Sequence, residues 1–288
     1  MMKSFLARVL PTPKHAITAL ITTILVVGEW RFGIVGGFEK ILLTLGACVL
    51  FEEVLSRFVL GRRPVSLQGA YISGVSLTIL IRPQDGLIWP FVAGAFLTIA
   101  SKYVLRYRSR HLWNPSNIGI AALVLLAPAK IAILSHEFGN DIAGNAVIWG
   151  LGLLVATRAR VLHISVTYAI SFAVLAFLRS AWTGTPVLAE LAPLTGPMYQ
   201  LMAFFMLTDP RTTVGTRRGR IVVVALIALV EALIRLGNDL DVPYALLFAP
   251  APPILALAIV GPLALALDLR RREPRPSGLD RSPSPALS

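Results

Sequence analysis

The stretch MAFFMLTDPRTTVGTRRGR, residues 202–220, decides the fold class of this chain. It begins as an apolar run, stops at Thr208, Asp209 and Pro210, and continues into a loop that contains four arginines. A soluble core helix rarely ends in an acid–proline pair followed by a basic loop. The pattern is typical of a membrane protein whose helix breaks at a polar site that is buried within the protein.

The composition of the whole chain supports a membrane protein. Of the 288 residues, 56% are hydrophobic and 15% are charged, whereas soluble domains contain about 25% charged residues. The apolar residues occur in blocks close to the roughly 20 residues that cross a bilayer. We therefore predict an all-α polytopic membrane protein with about ten transmembrane helices. The predicted segments are 15–30, 38–56, 66–81, 86–105, 113–133, 144–157, 161–178, 193–208, 220–236 and 243–267.

The distribution of basic residues predicts the orientation of these segments. When the N-terminus is placed in the cytoplasm, 21 of the 27 lysines and arginines fall on the cytoplasmic side and 6 fall outside. This asymmetry follows the positive-inside rule. The net charge of +12 is therefore interpreted as a topology signal, and the lipid bilayer rather than nucleic acid is the expected partner. We expect both termini in the cytoplasm.

The chain divides into one membrane domain and two short flanking segments. Residues 1–14 are predicted to form a cytoplasmic N-terminal segment, and residues 15–268 the membrane domain. Residues 269–288 are basic and rich in proline and serine, so we expect a disordered cytoplasmic tail.

Prolines occur at matching positions in the two halves of the membrane domain. The third segment ends GVSLTILIRP at Pro83, and the eighth ends AFFMLTDP at Pro210. The fifth segment opens HLWNPSNIGIAALVLL, and the tenth contains YALLFAPAPPILALA. Because each half has an odd number of segments, the second half enters the membrane inverted. We predict two inverted five-helix repeats, 15–133 and 144–268, with broken helices that mark a site between them. The alternative is that these prolines simply kink membrane helices.

Several motifs, in a consistent order, resemble the RnfD/NqrB family. These subunits belong to the Rnf and sodium-pumping NADH:quinone oxidoreductase complexes. The motif FMLTDPRTT is the most specific, because it matches the family pattern M-x-TDP-x-(T/S). The similarity covers roughly residues 55 to 270. It also includes SGVSLTILIRPQDGLIWPFVAGAFLTIASKYVL, HLWNPSNIGIA, GLGLLVATRARVLHISV, GRIVVVALIALVEALIRL and YALLFAPAPPILAL. The resemblance implies ten spans in two inverted halves, in the inner membrane of a bacterium.

The chain departs from the family at the covalent cofactor motif. The resemblance implies an FMN bound to a threonine after the fifth span, near a motif D-x-x-S-G-A-T. Here the corresponding stretch is NDIAGNAVIWG, in which Asp141 and Gly144 keep the frame and Val147 stands at or near the acceptor position. No serine or threonine lies between His136 and Thr157. We therefore predict a short variant without covalent FMN, whereas a noncovalent flavin (riboflavin or FMN) or a quinone remains compatible with the sequence.

The residues expected to hold such a group lie at the cytoplasmic ends of the broken segments. Their amide and hydroxyl groups can hydrogen-bond the edge of an isoalloxazine ring or a quinone carbonyl. Asp209 needs a partner at a membrane helix end, for which Arg211 or Arg110 is suited, or it caps the turn that follows it. The candidate cofactor-binding residues are Asn114, Asn117, Thr208, Asp209, Arg211, Thr212 and Thr213.

Carboxylates within the apolar segments are further candidates, because ionisable groups in a membrane are functional by default. Glu52, Glu53 and Glu231 are such groups. For Glu53 the alternative is a structural pair with Arg57, one helical turn away. The acids of the outer loops, including Glu190 and Asp239, are expected to be solvated.

Three functions are compatible with the sequence. The first is a membrane redox subunit that binds a flavin or quinone noncovalently and transfers electrons with partner subunits. The second is an accessory subunit that has lost the cofactor and packs within a larger membrane complex. The third is a transporter or channel for a small solute or ion. The chain carries no soluble-enzyme motif, so we expect at most a subunit of an oxidoreductase and no catalytic residue of its own.

Overall fold

The structure is a computed structural model that describes residues 13–61, 67–108, 110–133, 142–243 and 245–272. The first 12 residues of the expected N-terminal segment, most of the expected tail and the stretch 134–141, which includes Asp141, lie outside the described residues. The described part is mostly helical, and each of the ten predicted apolar segments contains a helix. The α-helical class is thereby confirmed.

In the described part of the chain, the first half contributes five helices, and four short strands form around their ends. The helices are α1 (Pro13–Phe32), α2 (Phe38–Leu60), α3 (Leu67–Leu80), α4 (Trp89–Val104) and α5 (Pro115–Leu126). The strands of this part of the chain are β1 (Ile81–Pro83), β2 (Arg106–Tyr107), β3 (Arg110–His111) and β4 (Ile131–Ile133), the last of which follows α5.

The described part of the second half contributes six helices, because an additional short helix, Val187–Leu191, lies between its second and third apolar segments. The helices are α6 (Ile142–Arg158), α7 (Leu162–Thr183), α8 (Val187–Leu191), α9 (Pro197–Leu201), α10 (Arg217–Asp239) and α11 (Pro252–Arg271). A π-helical turn, Met202–Met206, continues α9.

Three of these helices are long and apolar enough to cross a membrane by length and composition, namely α7, α10 and α11. Two other apolar helices are short: α3 has 14 residues and α5 has 12. At 1.5 Å per residue they extend for about 21 and 18 Å, less than the roughly 30 Å of a hydrocarbon core. Both belong to the segments that end or begin at the motif prolines.

Two small antiparallel sheets interrupt the helical architecture. Strand β1 pairs with β4, with Ile81 opposite Ile133 and Pro83 opposite Ile131. The fifth segment was expected to be apolar and helical through residue 133, but α5 ends at Leu126 because Pro128 cannot continue the helix. The chain then returns as β4 and satisfies the backbone groups at the end of the third segment. Strands β2 and β3 form a hairpin before α5.

Helices of the two halves pack in corresponding pairs. In the first half α2 packs on α4, α4 on α5, and α1 on α3. In the second half α7 packs on α10, α10 on α11, and α6 on α9. The halves also contact each other through α1 with α6 and through α5 with α11.

Large apolar side chains cover much of the outer surface of the helices. Trp30, Phe58 and Trp182 are each at least three-quarters exposed. A soluble protein rarely exposes so many bulky apolar groups together, and a bilayer is the solvent in which they are satisfied. The core between the helices is built from smaller aliphatic side chains with few aromatic rings, such as Phe91 and Tyr168.

Candidate functional site

The NP motif begins α5 through local capping. Asn114 has an extended backbone, and its Oδ1 atom accepts the backbone N–H of Asn117 at 3.2 Å and the hydroxyl of Ser116 at 2.9 Å. Pro115 occupies the first helical position, where its missing N–H is not needed. The Asn114 side chain is thereby fixed at the start of a buried helix, with its amide nitrogen left to donate elsewhere.

The TDP motif ends the short helix of the second half. The π-helical turn closes with the N–H of Leu207 donating to the carbonyl of Met202 at 3.0 Å. Leu207 and Thr208 then leave the helix, and Pro210 prevents its continuation. The residue between them, Asp209, is half-buried. The irregular turn therefore presents a carboxylate at the end of the broken segment.

The structure brings these two motifs together. The amide Nδ2 of Asn114 donates to Oδ2 of Asp209 at 3.4 Å, which joins residues from opposite halves of the chain. The same carboxylate oxygen accepts the hydroxyl of Thr212 at 3.0 Å, and Oδ1 accepts the backbone N–H of Arg211 at 3.0 Å. Asp209 thus caps the following turn and faces the other half at the same time.

The side chains of the arginines expected to pair with Asp209 do not form an ion pair with it. Arg110 donates through Nη2 to the carbonyls of Arg211 and Pro210, at 2.6 and 3.2 Å. Arg211 approaches the carboxylate only through its backbone N–H, and its side chain is exposed. The expected ion pair is therefore wrong. The turn offers carbonyl groups that bind the guanidinium of Arg110, and donors within the turn satisfy the carboxylate.

Two of the candidate threonines hydrogen-bond backbone carbonyls that precede them in the chain. Thr208 donates to the carbonyl of Phe204 at 2.6 Å, and Thr213 donates to the carbonyl of Leu207 at 3.4 Å. Only Thr212 contacts the carboxylate of Asp209. The side chains that converge are thus Asn114, Asp209 and Thr212, with Arg211 contributing its backbone.

His111 is a neighbour of Asp209 that the sequence reading did not identify. It lies in β3, three residues before Asn114, and burial lowers the pKa of its imidazole below the ordinary value, with Arg211 and Lys102 acting in the same direction. The charge of Asp209 opposes this shift of the pKa. The imidazole is therefore biased towards its neutral form. The sequence feature that could have identified His111 is its position three residues before Asn114 of the NP motif.

Asn117 links the first turns of the two proline-initiated helices. Its side chain is 1% exposed, and Nδ2 donates to the carbonyl of Ile254 at the start of α11 at 2.9 Å. Its Oδ1 atom is buried and has no hydrogen-bond partner among the described residues. Such an atom costs about 1–3 kcal/mol if it stays unpaired. It is an acceptor that the protein leaves available for an N–H group.

The contact between the halves is otherwise one-sided. Side chains of the first half donate to main-chain carbonyls of the second half. In addition to Asn117 and Arg110, the indole of Trp113 donates to Ala258 at 2.8 Å, and Arg108 donates to Leu269 at 3.1 Å. Among the described residues, the donors of these bonds come from the hairpin and the start of α5.

Two further polar clusters lie between helices. Glu52 of α2 accepts the hydroxyl of Tyr103 at 2.9 Å and the ammonium of Lys102 at 3.2 Å, both from α4. In the second half, Tyr168 of α7 donates to Glu231 of α10 at 2.6 Å. Arg235, one turn after Glu231, donates to it at 3.1 Å. The buried acids that were candidates for function are therefore hydrogen-bonded and paired.

The other acids follow two different patterns. Glu53 pairs with Arg57, as the structural alternative predicted. Glu190 was expected to be solvated, but it is buried and forms an ion pair with Arg179. Arg179 also contacts Asp239 at 3.3 Å. The prediction for Glu190 was wrong because a buried arginine at the end of α7 requires a nearby carboxylate.

Among the described residues, no group of three or more histidine, cysteine, aspartate or glutamate side chains could hold a metal ion. Val147, which stands where the family resemblance implies a flavin-bearing threonine, lies on α6 and is 47% exposed. An aliphatic side chain has no oxygen through which a phosphoester could form. The absence of covalent FMN stays a prediction of the sequence.

We call the meeting point of Asn114, Asp209 and Thr212 the polar junction. Together with the fold it defines a class of protein: a polytopic helical membrane protein whose short helices end at this junction. Comparison with known proteins narrows this class. Residues 139–263 match the model of the NQR2, RnfD, RnfE family, which supports an Rnf/Nqr-type membrane subunit. Proteins of the family are subunits of multisubunit membrane complexes. No curated protein matches the chain.

Proposed function

We propose that the chain is a membrane subunit that binds a flavin or a quinone noncovalently and takes part in electron transport with partner subunits. The observation that carries the proposal is the junction of Asn114 and Asp209, which joins the NP and TDP motifs of the two halves at 3.4 Å. Such a junction at the ends of broken helices is the usual place of a site in membrane proteins with internal repeats.

The polar groups of the junction suit the edge of a flavin or quinone ring. The Asn114 amide has a second N–H to donate, the Thr212 hydroxyl oxygen can accept, and the orphan Oδ1 of Asn117 is an acceptor for an imide N–H. The neighbouring His111 is biased towards the neutral imidazole, which can donate from one nitrogen and accept at the other. The ring would supply the redox chemistry, and these residues would orient it and balance its charge.

We further propose that the membrane domain consists of two inverted five-helix repeats with ten spans. The supporting observation is the correspondence of packing pairs, since α2–α4, α4–α5 and α1–α3 match α7–α10, α10–α11 and α6–α9. The contacts α1–α6 and α5–α11 join corresponding helices of the two halves, as a pseudo-two-fold axis requires. The cytoplasmic placement of both termini and the bacterial inner membrane belong to the same proposal.

Purification of the chain in mild detergent tests the redox proposal. We expect the visible absorbance of an oxidised flavin, or an extractable quinone, and we expect Asp209→Ala to release it. Asp209→Asn keeps an oxygen that can accept the N–H of Arg211, so it separates the cap from the charge. The matched control is Asp268→Ala, because Asp268 also accepts a backbone N–H, that of Gly215, but lies outside the junction.

The redox proposal is wrong if the folded wild-type protein, isolated with its partner subunits, contains neither flavin nor quinone. A colourless protein that copurifies with such partners would assign the chain the accessory role. Flux of a solute or ion through liposomes that contain only this chain would assign it the transport role. Loss of cofactor in both Asp209→Ala and Asp268→Ala would show that the cofactor responds to general destabilisation.

A further inference from the structure

A basic cavity opens between the turn that follows α6 and the start of α10. Its volume is about 600 Å³, and Arg160, Arg217 and Arg220 line it together with His163. Within the described part of the chain, none of these three arginines lies within ion-pair distance of a carboxylate. Arg220 is held by a hydrogen bond from Nε to the carbonyl of Val214 at 3.0 Å. The cavity therefore concentrates positive charge that no acid among the described residues neutralises.

The backbone of this turn is in a costly conformation. Arg160 has a φ of +57°, in the left-handed region that glycine or asparagine adopts more readily. The chain nevertheless places an arginine there, in the wall of the cavity. Strain at a charged residue that lines a cavity is a reason to look for a ligand.

An apolar crevice adjoins the basic cavity and shares two of its wall residues, Leu162 and Val166. It runs between α6, α7 and the π-helical turn, and Leu153, Ala169 and Phe204 contribute to its lining. Val166 and Leu153 are both more than one-third exposed on the outer surface of the helices. The crevice therefore opens towards the same surroundings as the exposed apolar side chains.

We propose that the basic cavity and the apolar crevice together bind one anionic glycerophospholipid. The phosphate lies among Arg160, Arg217 and Arg220, and an acyl chain lies along Val166 and Phe204. A free anion would use only the basic part. A lipid uses both parts, and the cavity is located where lipid headgroups are expected, at the ends of α7 and α10, two helices long enough to span a membrane. Guanidinium groups suit phosphate because they donate in a planar fork.

The test is the thermal unfolding midpoint of the purified full-length protein in detergent after addition of three probes. We expect phosphatidylglycerol to raise the midpoint more than phosphatidylcholine, and inorganic phosphate at the same concentration to have little effect. Ligands that bind only the folded state raise the midpoint in this way. The variant Arg160→Gln/Arg217→Gln should lose most of the shift, because both side chains are exposed wall residues of the cavity.

The matched control is Arg270→Gln/Arg271→Gln, which removes the same charge from the exposed last turn of α11. It should keep the shift caused by phosphatidylglycerol. An equal loss of the shift in both double variants would overturn the proposal, since binding would then follow surface charge alone. Inorganic phosphate that reproduces the full shift would also overturn it, by showing a site for a free anion. A crevice-filling variant, Ala169→Phe, should reduce the shift without changing any charge.

Discussion

At the scale of single residues, the chain uses acids in two ways that depend on burial. Glu53 and Arg57 form a pair one turn apart on a partly exposed face of α2. Glu231 and Arg235 form a pair with the same spacing on α10, but Glu231 is 0% exposed and also accepts a hydrogen bond from Tyr168. The two pairs have the same sequence spacing, but we expect the buried pair to contribute more to the free energy of unfolding.

Replacement of these two acids by alanine measures the difference. Glu231→Ala leaves Arg235 and Tyr168 without their partner, so we expect a loss of about 3–5 kcal/mol of stability. Glu53→Ala is the matched control and should cost about 1 kcal/mol or less, because exposed pairs contribute little. Chemical or thermal unfolding in detergent, followed by tryptophan fluorescence, provides the measurement. Equal losses in the two variants would contradict the assignment of Glu231 to a buried pair.

Part of the site could be predicted at this scale and part could not. The NP and TDP motifs were both predicted at the cytoplasmic ends of broken segments, so their apposition followed from the expected arrangement of the halves. The cap that Asp209 forms on the following turn was one of the two alternatives. The absence of an ion pair with Arg110 did not follow, because the carbonyl groups of the turn compete for Arg110 in a way that depends on backbone geometry. His111 and the burial of Glu190 depend likewise on how loops fold back, which no local pattern records.

At the scale of elements, the tightest approach of α4 and α5 is at a glycine. A Cβ atom added to Gly119 would lie 2.0 Å from the hydroxyl oxygen of Thr98 and 3.1 Å from its Cα. The second contact is with backbone, which a change of rotamer cannot relieve. The lengths of α3 and α5 are also properties of elements. The prolines predicted where these helices break, whereas the four short strands were not predicted.

Substitution of this glycine tests the packing. We expect Gly119→Ala to cost about 1–3 kcal/mol of stability, because the added methyl group overpacks the α4–α5 contact. Gly150→Ala on α6 is the control, since no atom lies within 4 Å of its added Cβ and alanine favours a helix by up to about 1 kcal/mol. Opposite signs of the change in unfolding midpoint are expected. A neutral Gly119→Ala variant would show that α4 and α5 separate easily.

At the scale of the whole molecule, helices pack within each half in matching pairs. Sequence reasoning could predict the membrane class and the ten apolar segments because hydropathy is a local property. It could not supply the packing pairs, which depend on side-chain shape at each crossing. Within the described ranges, three helices meet the length and hydropathy of a simple span, since short helices and buried ion pairs weaken the pattern elsewhere.

Reporter fusions test the proposed topology. We expect a fusion at Asp141 to report the outer side and a fusion at Ser277 to report the cytoplasm, because the basic loops determine the orientation. A fusion at Gly184 should report the outer side, and one at Arg160 the cytoplasm, which provides controls on either side of α7. Reports of the same side from Asp141 and Ser277 would exclude an odd number of spans between them.

The one-sided contact between the halves has a consequence for sequence drift. The donors are the side chains of Arg108, Arg110, Trp113 and Asn117, and the acceptors are main-chain carbonyls of the second half. Every residue type carries a carbonyl, so Ala258, Ile254 and Leu269 can change identity while the hydrogen bond persists, provided the new side chain fits. The donor positions lack this freedom. In a mutational scan, tolerance should therefore be high at the accepting positions and low at the donors, so that the two sides of one interface diverge at different rates.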